Sequence, residues 1–266
     1  MAEVVFRDGA ELLIDSPMSS RGERFMRRMA DAAPGGSIVT DRYRGKNYLL
    51  MMYGPGSPKK LPLVQRHIKA GGRVAMWDLG YWDRERSMRL SINTLHPTPY
   101  QLEQAPEGGH RRTFELREDA DPNGPILLIG IGPKSCYAYG LRPFQWESEK
   151  LADLKRRFPG RKVLWRPKGH TAAPLGGLEI RHGGAIEDVL RGCSLVVCRH
   201  SNVAVDACVA GIPVECDDGA ALALYGKSPD PTRDERAEFL RRLSWWEWHV
   251  KESLAAWQWI ERVTCD

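Results

Sequence analysis

Short apolar runs alternate with amphipathic helical segments along most of this chain, and that alternation limits the fold more than any single motif. In the first part, EVVFRD and SIVTD read as strands, with SSRGERFMRRMADAA as a helix between them. Phe25, Met26 and Met29 share one face of that helix, and Pro34-Gly35-Gly36 ends it. YLLMMYG is a buried-type strand, LPLVQRHIKAGG a helix stopped by glycine, and RVAMWDLGYW a further strand. This order predicts a parallel sheet covered by helices.

A polar stretch, QAPEGGHRRTFELREDADPNG (104–124), interrupts the pattern and reads as a linker over 105–124. A second α/β unit follows. PILLIGIGPKS is a strand with a Gly-Pro loop, FQWESEKLADLKRRF a helix, and KVLWRP a strand. GAIEDVLRGC is a helix, SLVVCRHS a strand, NVAVDACVAG a helix and PVECD a strand. The tail reads as two helices. The first opens at Thr232-Arg233-Asp234-Glu235, a capping box, and the second is KESLAAWQWIERV. Five tryptophans in the tail (Trp245, Trp246, Trp248, Trp257, Trp259) are expected to pack it onto a domain or across the cleft, with base stacking by one of them as the alternative. The expected division is 1–104, linker 105–124, 125–228, and C-terminal helices 229–266.

Composition narrows the class. With 266 residues and 42% hydrophobic content, one large or two modest globular domains are expected. No apolar run approaches the ~18–20 residues of a membrane span, and the first residues lack a signal-peptide pattern. The expected location is the cytoplasm. The six cysteines form no CxxC pair and no zinc spacing, so they read as small buried hydrophobes. The net charge of +5 arises entirely within residues 1–104, which hold 16 Lys/Arg against 11 Asp/Glu. Clusters at Arg21/Arg24/Arg27/Arg28, Arg42/Arg44/Lys46 and Lys59/Lys60/Arg66/Lys69/Arg73 suit either a solvated surface or an anionic partner.

Three strand ends in the second unit carry the candidate chemistry. Arg199-His200-Ser201-Asn202 stands where a strand meets a small-residue helix. Ser201 or Asn202 can cap that helix, and its leading N–H groups suit a phosphate. Arg166-Pro167-Lys168-Gly169-His170 ends the preceding strand, and Gly130-Ile131-Gly132-Pro133-Lys134-Ser135 ends the first. Neither this loop nor GPGSPKK (54–60) matches GxxxxGK[ST], so neither is a Walker loop. Ligands of open parallel sheets bind at such ends, and the cations point to a diphosphate.

The order GIGPKS, WRPKGH, VVCRHSNVAVDACVAGIPV and ALALYG resembles the C-terminal donor domain of GT-B glycosyltransferases. It is similar in particular to the capsule-type sugar transferases and to those of bacteriophages. The resemblance covers roughly residues 125–226. It implies two Rossmann-like domains facing across a cleft, with C-terminal helices packing back on the first. By it, Ser201 and Asn202 contact phosphate; Arg166, Lys168 and His200 neutralise it; and Asp206 meets ribose or stiffens its loop. Gly132, Lys134, His170 and Arg199 complete the donor-binding set. The family often carries His where Lys168 stands.

The first domain is then expected to bind the acceptor. Asp78 ends a strand and is the candidate base, with His96 in SINTLHPTP as its competitor; a bond from Asp78 to Arg84 or Arg86 is the plainer reading. Tyr81, Trp82 and Arg84 are candidate acceptor contacts, although core packing serves Tyr81 and Trp82 equally. No D-x-D occurs, so leaving-group charge falls to the cations rather than a metal. The expected function is a metal-independent glycosyltransferase using a nucleotide-sugar co-substrate, expected as UDP-linked, and no other cofactor. The basic first part and the phage-like resemblance favour double-stranded DNA as acceptor, through a 5-hydroxymethylpyrimidine, in the host cytoplasm. Polysaccharide synthesis, sugar-nucleotide epimerisation and non-catalytic nucleotide binding are the alternatives. G-x-S-x-G and HExxH are absent, which disfavours hydrolase plans.

Overall fold

The chain divides into two compact units. One is drawn from residues up to Glu107 together with those from Trp245 onward, and the other runs Gly108–Ser244. The computed structural model describes residues 10–13, 20–34, 37–40, 49–54, 61–168, 175, 178–181 and 183–264. The expected strand EVVFRD, the clusters at 42–46 and 59–60, His170 and Cys265 lie outside these residues.

The first unit begins with β1 (Ala10–Leu13), α1 (Ser20–Asp31), β2 (Ser37–Thr40), β3 (Leu49–Tyr53), α2 (Leu61–Lys69), β4 (Arg73–Leu79), β5 (Ser87–Ile92) and α3 (Pro99–Glu103). In β3, Leu49–Met52 are buried without alternation, as a parallel strand covered on both faces requires. Thr98 caps α3 by accepting from the Gln101 amide, and Pro99 fills its first turn.

The second unit contains β6 (Ile126–Ile129), α4 (Pro133–Ala138), α5 (Gln145–Arg157), β7 (Val163–Arg166), β8 (Glu179–Ile180), α6 (Ile186–Leu190), β9 (Leu195–Cys198), α7 (Val203–Ala210), β10 (Val214–Cys216), α8 (Leu222–Tyr225) and α9 (Arg233–Leu243). Its five strands form one wholly parallel sheet in the order β10-β9-β6-β7-β8. Its core gathers Ile126, Leu128, Trp146, Leu154, Trp165 and Val197. The expected capping box opens α9, with Thr232 and Glu235 each accepting from the other's backbone amide.

The chain then rejoins the first unit as β11 (Glu247–His249) and α10 (Ser253–Thr264). The sheet of that unit runs β11-β5-β4-β3-β1-β2. It is mixed rather than parallel, because β5 runs antiparallel to β4 and β11 antiparallel to β5. Neither of these two strands was expected: β5 interrupts its apolar run with Arg89, and β11 is three residues long.

Two boundaries also differ. Residues 108–124 are not a free linker, since the Arg117 and Asp119 amides donate to Val209 and Ala210 carbonyls (2.9 and 2.8 Å). The tail does not return whole, because α9 stays with the second unit and only the residues from Trp245 join the first. There Trp246, Trp248, Trp257 and Trp259 are buried. Trp246 Nε1 donates to Gln101 O and Trp257 Nε1 to Met29 O. These rings are core, so none of the four stacks on a nucleic-acid base. The buried cysteines follow expectation: Cys136, Cys193, Cys198 and Cys208 are free thiols inside the second unit, and burial pushes Cys198 and Cys208 up to about 12.

Candidate functional site

In the second unit, the carboxyl ends of β6, β7 and β9 meet because these three strands are neighbours. Gly130 and Gly132 let the chain pass close to the β7 end. A Cβ on Gly130 would lie 3.2 Å from the Lys168 amide, and one on Gly132 would lie 3.6 Å from Lys168 Cδ. Gly132 is also the N-cap of α4, with no side chain capping it, and Lys134 is exposed in the first turn. From α4, Ser135 Oγ lies 3.0 Å from His200 Nε2 at the end of β9. Three strand ends therefore supply a glycine-lined backbone, a lysine, an imidazole and hydroxyls at one edge of the sheet.

The α7 helix begins at Asn202, whose side chain makes no cap bond. Ser201 takes that role, its Oγ accepting from Val203 N at 3.2 Å. The next amides are also engaged: Ala204 N donates to Ser201 O, and Val205 N and Asp206 N donate to Asn202 O. The expectation of open N–H groups at this helix start is thus corrected. An anion here would exchange with the Ser201 hydroxyl. Asp206 sits half-buried in the first turn, where an acidic residue opposes the helix dipole favourably.

Two expected cations are held by other partners. Arg166 donates Nη1 to Gly183 O (3.0 Å) and Nη2 to Gly184 O (3.1 Å), fixing the loop before α6. The Arg199 guanidinium lies 4.0 Å over the Tyr139 ring and 3.6 Å from Asp217. Asp217 also accepts from Trp146 Nε1 (2.6 Å) and pairs with Lys150 (2.7 Å), while Asp218 accepts from the Tyr139 hydroxyl. Sequence reading missed this acidic end of β10 and its damping of the local positive charge. It also missed Glu147, which is 1% exposed and accepts from Ile131 N at 2.9 Å, bracing the loop after β6. The FQWESEK helix gave only one cue, an acidic residue directly following the buried Trp146. A cavity of about 60 Å³ beside it is lined by Ile131, Cys136, Phe144, Glu147, Trp165 and Lys168.

In the first unit, Asp78 of β4 stands directly across from Arg89 of β5. Cross-strand neighbours on one face meet, and Asp78 Oδ2 accepts from Arg89 Nη2 at 2.6 Å, so its partner is Arg89 rather than Arg84 or Arg86. Asp78 Oδ1 accepts from Leu79 N (2.8 Å), and its side chain remains 28% exposed. Arg89 Nη1 donates to Leu95 O and to His96 Nδ1, the latter at 2.8 Å. A guanidinium can only donate. His96 Nδ1 is therefore the acceptor, which puts the proton of the neutral ring on Nε2 and engages the Nδ1 lone pair with Arg89.

Tyr81 is corrected as an acceptor contact. It is 1% exposed, and burial pushes its phenol well above the ordinary value. Its backbone amide and that of Trp82 donate to the buried Glu247 carboxylate of β11 (2.5 and 3.2 Å). Trp82 and Arg84 are half-buried in the turn between β4 and β5, the Trp82 ring tilted against Tyr81.

No family model matches the sequence, and no curated protein matches it. Solved structures do match. The β-Kdo 2,7 transferase of KpsC from Thermosulfurimonas dismutans is 14% identical, with 96% of this chain and 99% of that chain covered at a TM-score of 0.53. The β-Kdo 2,4 transferase of the same KpsC is 13% identical, with 90% and 92% covered at 0.52. The likeness is one of fold: two α/β units, as in GT-B-type glycosyltransferases. Among the described residues, no helix is long and apolar enough to cross a membrane.

Proposed function

We propose that this chain transfers a sugar from a nucleotide-sugar donor, bound at the carboxyl edge of the second unit's sheet, to a hydroxyl acceptor. One observation carries the reading: Ser135 and His200 come within 3.0 Å while the Lys168 stem lies along Gly132. This edge suits a diphosphate, with Lys168, Lys134 and His200 countering its charge and Ser201 and Asn202 at its flank. As the sugar C1–oxygen bond breaks, the leaving nucleotide carries the negative charge those groups meet. The acceptor hydroxyl forms the new bond and gives its proton to Asp78 in this reading. No metal is required by this scheme, so chelation is expected to leave the rate unchanged.

The donor half is tested by thermal shift with UDP, GDP, CMP and their sugar conjugates. One nucleotide should raise the melting temperature of the wild type, and Lys168→Ala should weaken its binding about tenfold. If none does so, the reading falls. For the base, Asp78→Asn should lower kcat by roughly 10²–10⁴ with donor binding intact.

Two acceptors have support. The positive balance of residues 1–104 favours a 5-hydroxymethylpyrimidine in duplex DNA, flipped from the stack at a cost of a few kcal/mol. The shared fold with two Kdo transferases favours a glycan. Titration with duplex DNA at rising salt, then mass spectrometry of hydroxymethylated DNA incubated with the donor, separates them. Binding that ignores salt, or DNA of unchanged mass, removes the DNA acceptor.

A further inference from the structure

The first unit holds a cavity of about 190 Å³ that the donor chemistry does not use, lined by Arg24, Phe25, Arg28, Glu85, Arg86, Ser87, Met88 and Val250. Arg24 and Arg28 are one helical turn apart on α1, so their guanidinium groups share a face although like charges at that spacing repel. Arg86 enters from the turn before β5, where its amide donates to Asp83 O and its carbonyl accepts from Val250 N (both 3.0 Å). Among the described residues, none of the three arginines forms an ion pair, and all three are exposed. Glu85 is the single carboxylate in the lining, so the wall carries three positive charges against one negative. Behind the charges, Phe25 and Met88 are 3% and 2% exposed, which gives the cavity an apolar floor.

The location is also informative. Met88 pairs with Leu79, the last residue of β4, so the start of β5 lies at the carboxyl edge of the parallel strands, where ligands of such sheets bind. Guanidinium forks suit carboxylate and phosphate oxygens, and the floor suits a compact apolar or ring-shaped body.

We infer that this cavity is a binding site for an organic oxyanion, a carboxylate or phosphate carried on a small ring. The binding stands apart from the sugar-transfer reading; only its role as the anchor for an acidic group on the acceptor rests on that reading.

Phenyl phosphate, benzoate and inorganic phosphate are the probes, each titrated calorimetrically into the full chain. Phenyl phosphate should bind more tightly than inorganic phosphate, because only it reaches the floor. The double variant Arg24→Gln/Arg28→Gln changes exposed side chains and should weaken phenyl phosphate at least tenfold, the loss of one charge-assisted bond or more. Nucleotide binding measured on the same variant should not move. Modification with phenylglyoxal followed by peptide mass mapping locates the site: phenyl phosphate should protect Arg24, Arg28 and Arg86. Unchanged affinity in the double variant, or protection confined to other arginines, overturns the inference while leaving the donor reading intact. Loss of nucleotide binding in the wild type would overturn the donor reading and leave this site standing.

Discussion

The two sheets of this chain are built from similar residues but handle charge in opposite ways. In the second unit, the three central parallel strands β9, β6 and β7 are apolar up to their carboxyl ends, where the charged groups stand, and charge within the strands is confined to Glu215 and Glu179 of the edge strands β10 and β8. In the first, an antiparallel edge brings charge inside: Arg89 is 7% and Glu247 5% exposed, one bonded to Asp78 and His96, the other to the Tyr81 and Trp82 amides. The parallel sheet is held by burial of its central strands, and the polar groups at its carboxyl edge bond to neighbouring loops, as Arg166 does to Gly183 and Gly184 and Arg199 to Tyr139 and Asp217. The mixed sheet uses polar groups to fix its own edge, because β11 contributes only three residues to the pairing. Asp78 belongs to both categories, half of a buried pair yet partly open to solvent.

The sharpest way to break this contrast is to remove one charge from each unit. Arg89→Met leaves Asp78 with a lost partner in the first unit and should cost about 3–5 kcal/mol in denaturant unfolding. Lys150→Met, which removes a part-exposed partner of Asp217, should cost under about 1 kcal/mol. Equal costs would mean that the two units do not differ in this respect. Next in size is Gly211→Ala. This residue ends α7 at φ 74°, and an added Cβ would lie 2.4 Å from the Arg117 carbonyl. A loss of roughly 2 kcal/mol or more is expected, read as a lower denaturant midpoint, if residues 108–124 are bound to the second unit as described. Ser201→Ala removes the hydroxyl that receives the Val203 amide and should cost about 1 kcal/mol. That variant also sharpens the ligand question, since a phosphate able to replace the hydroxyl would narrow the difference from wild type.

The smallest effect concerns acid. Arg241 and Arg242 on α9 hold the Glu238 carboxyl down to about 2. A carboxyl depressed in the folded state stabilises fully above its unfolded value near 4.3, and that contribution fades as pH falls towards 2. With Glu238 45% exposed, solvent limits the gain to under about 1 kcal/mol. Glu238→Gln should therefore lose that small contribution at neutral pH, by under about 1 kcal/mol, and converge with wild type as pH falls towards 2, flattening the acid limb of a stability-against-pH curve.

What the sequence disclosed follows from the same contrast. PILLIG, KVLW and SLVVC announce their strands because a parallel strand covered on both faces must be apolar along its length. The capping box at Thr232 and the glycine after α7 are local signals and were equally plain. β5 was hidden because SMRLSI carries an arginine whose burial makes sense only once Asp78 and His96 are beside it. β11 was hidden because three residues have no periodicity to read. At the candidate site, the strand-end cations were visible, but their partners were not: Gly183 and Gly184 for Arg166, and Tyr139 and Asp217 for Arg199, come from other parts of the chain. Sequence thus located the strand-end cations and could not tell which of them the fold already holds.

The return of the chain at Trp245 has a consequence for synthesis. The mixed sheet lacks β11, and Met29 its indole donor, until the residues from Trp245 onward leave the ribosome, whereas the parallel unit is complete by Ser244. The middle of the polypeptide can therefore reach its native form while the earlier-made portion still waits for β11 and α10. A nascent chain stalled after α9 should resist protease in its newer half and yield in its older one.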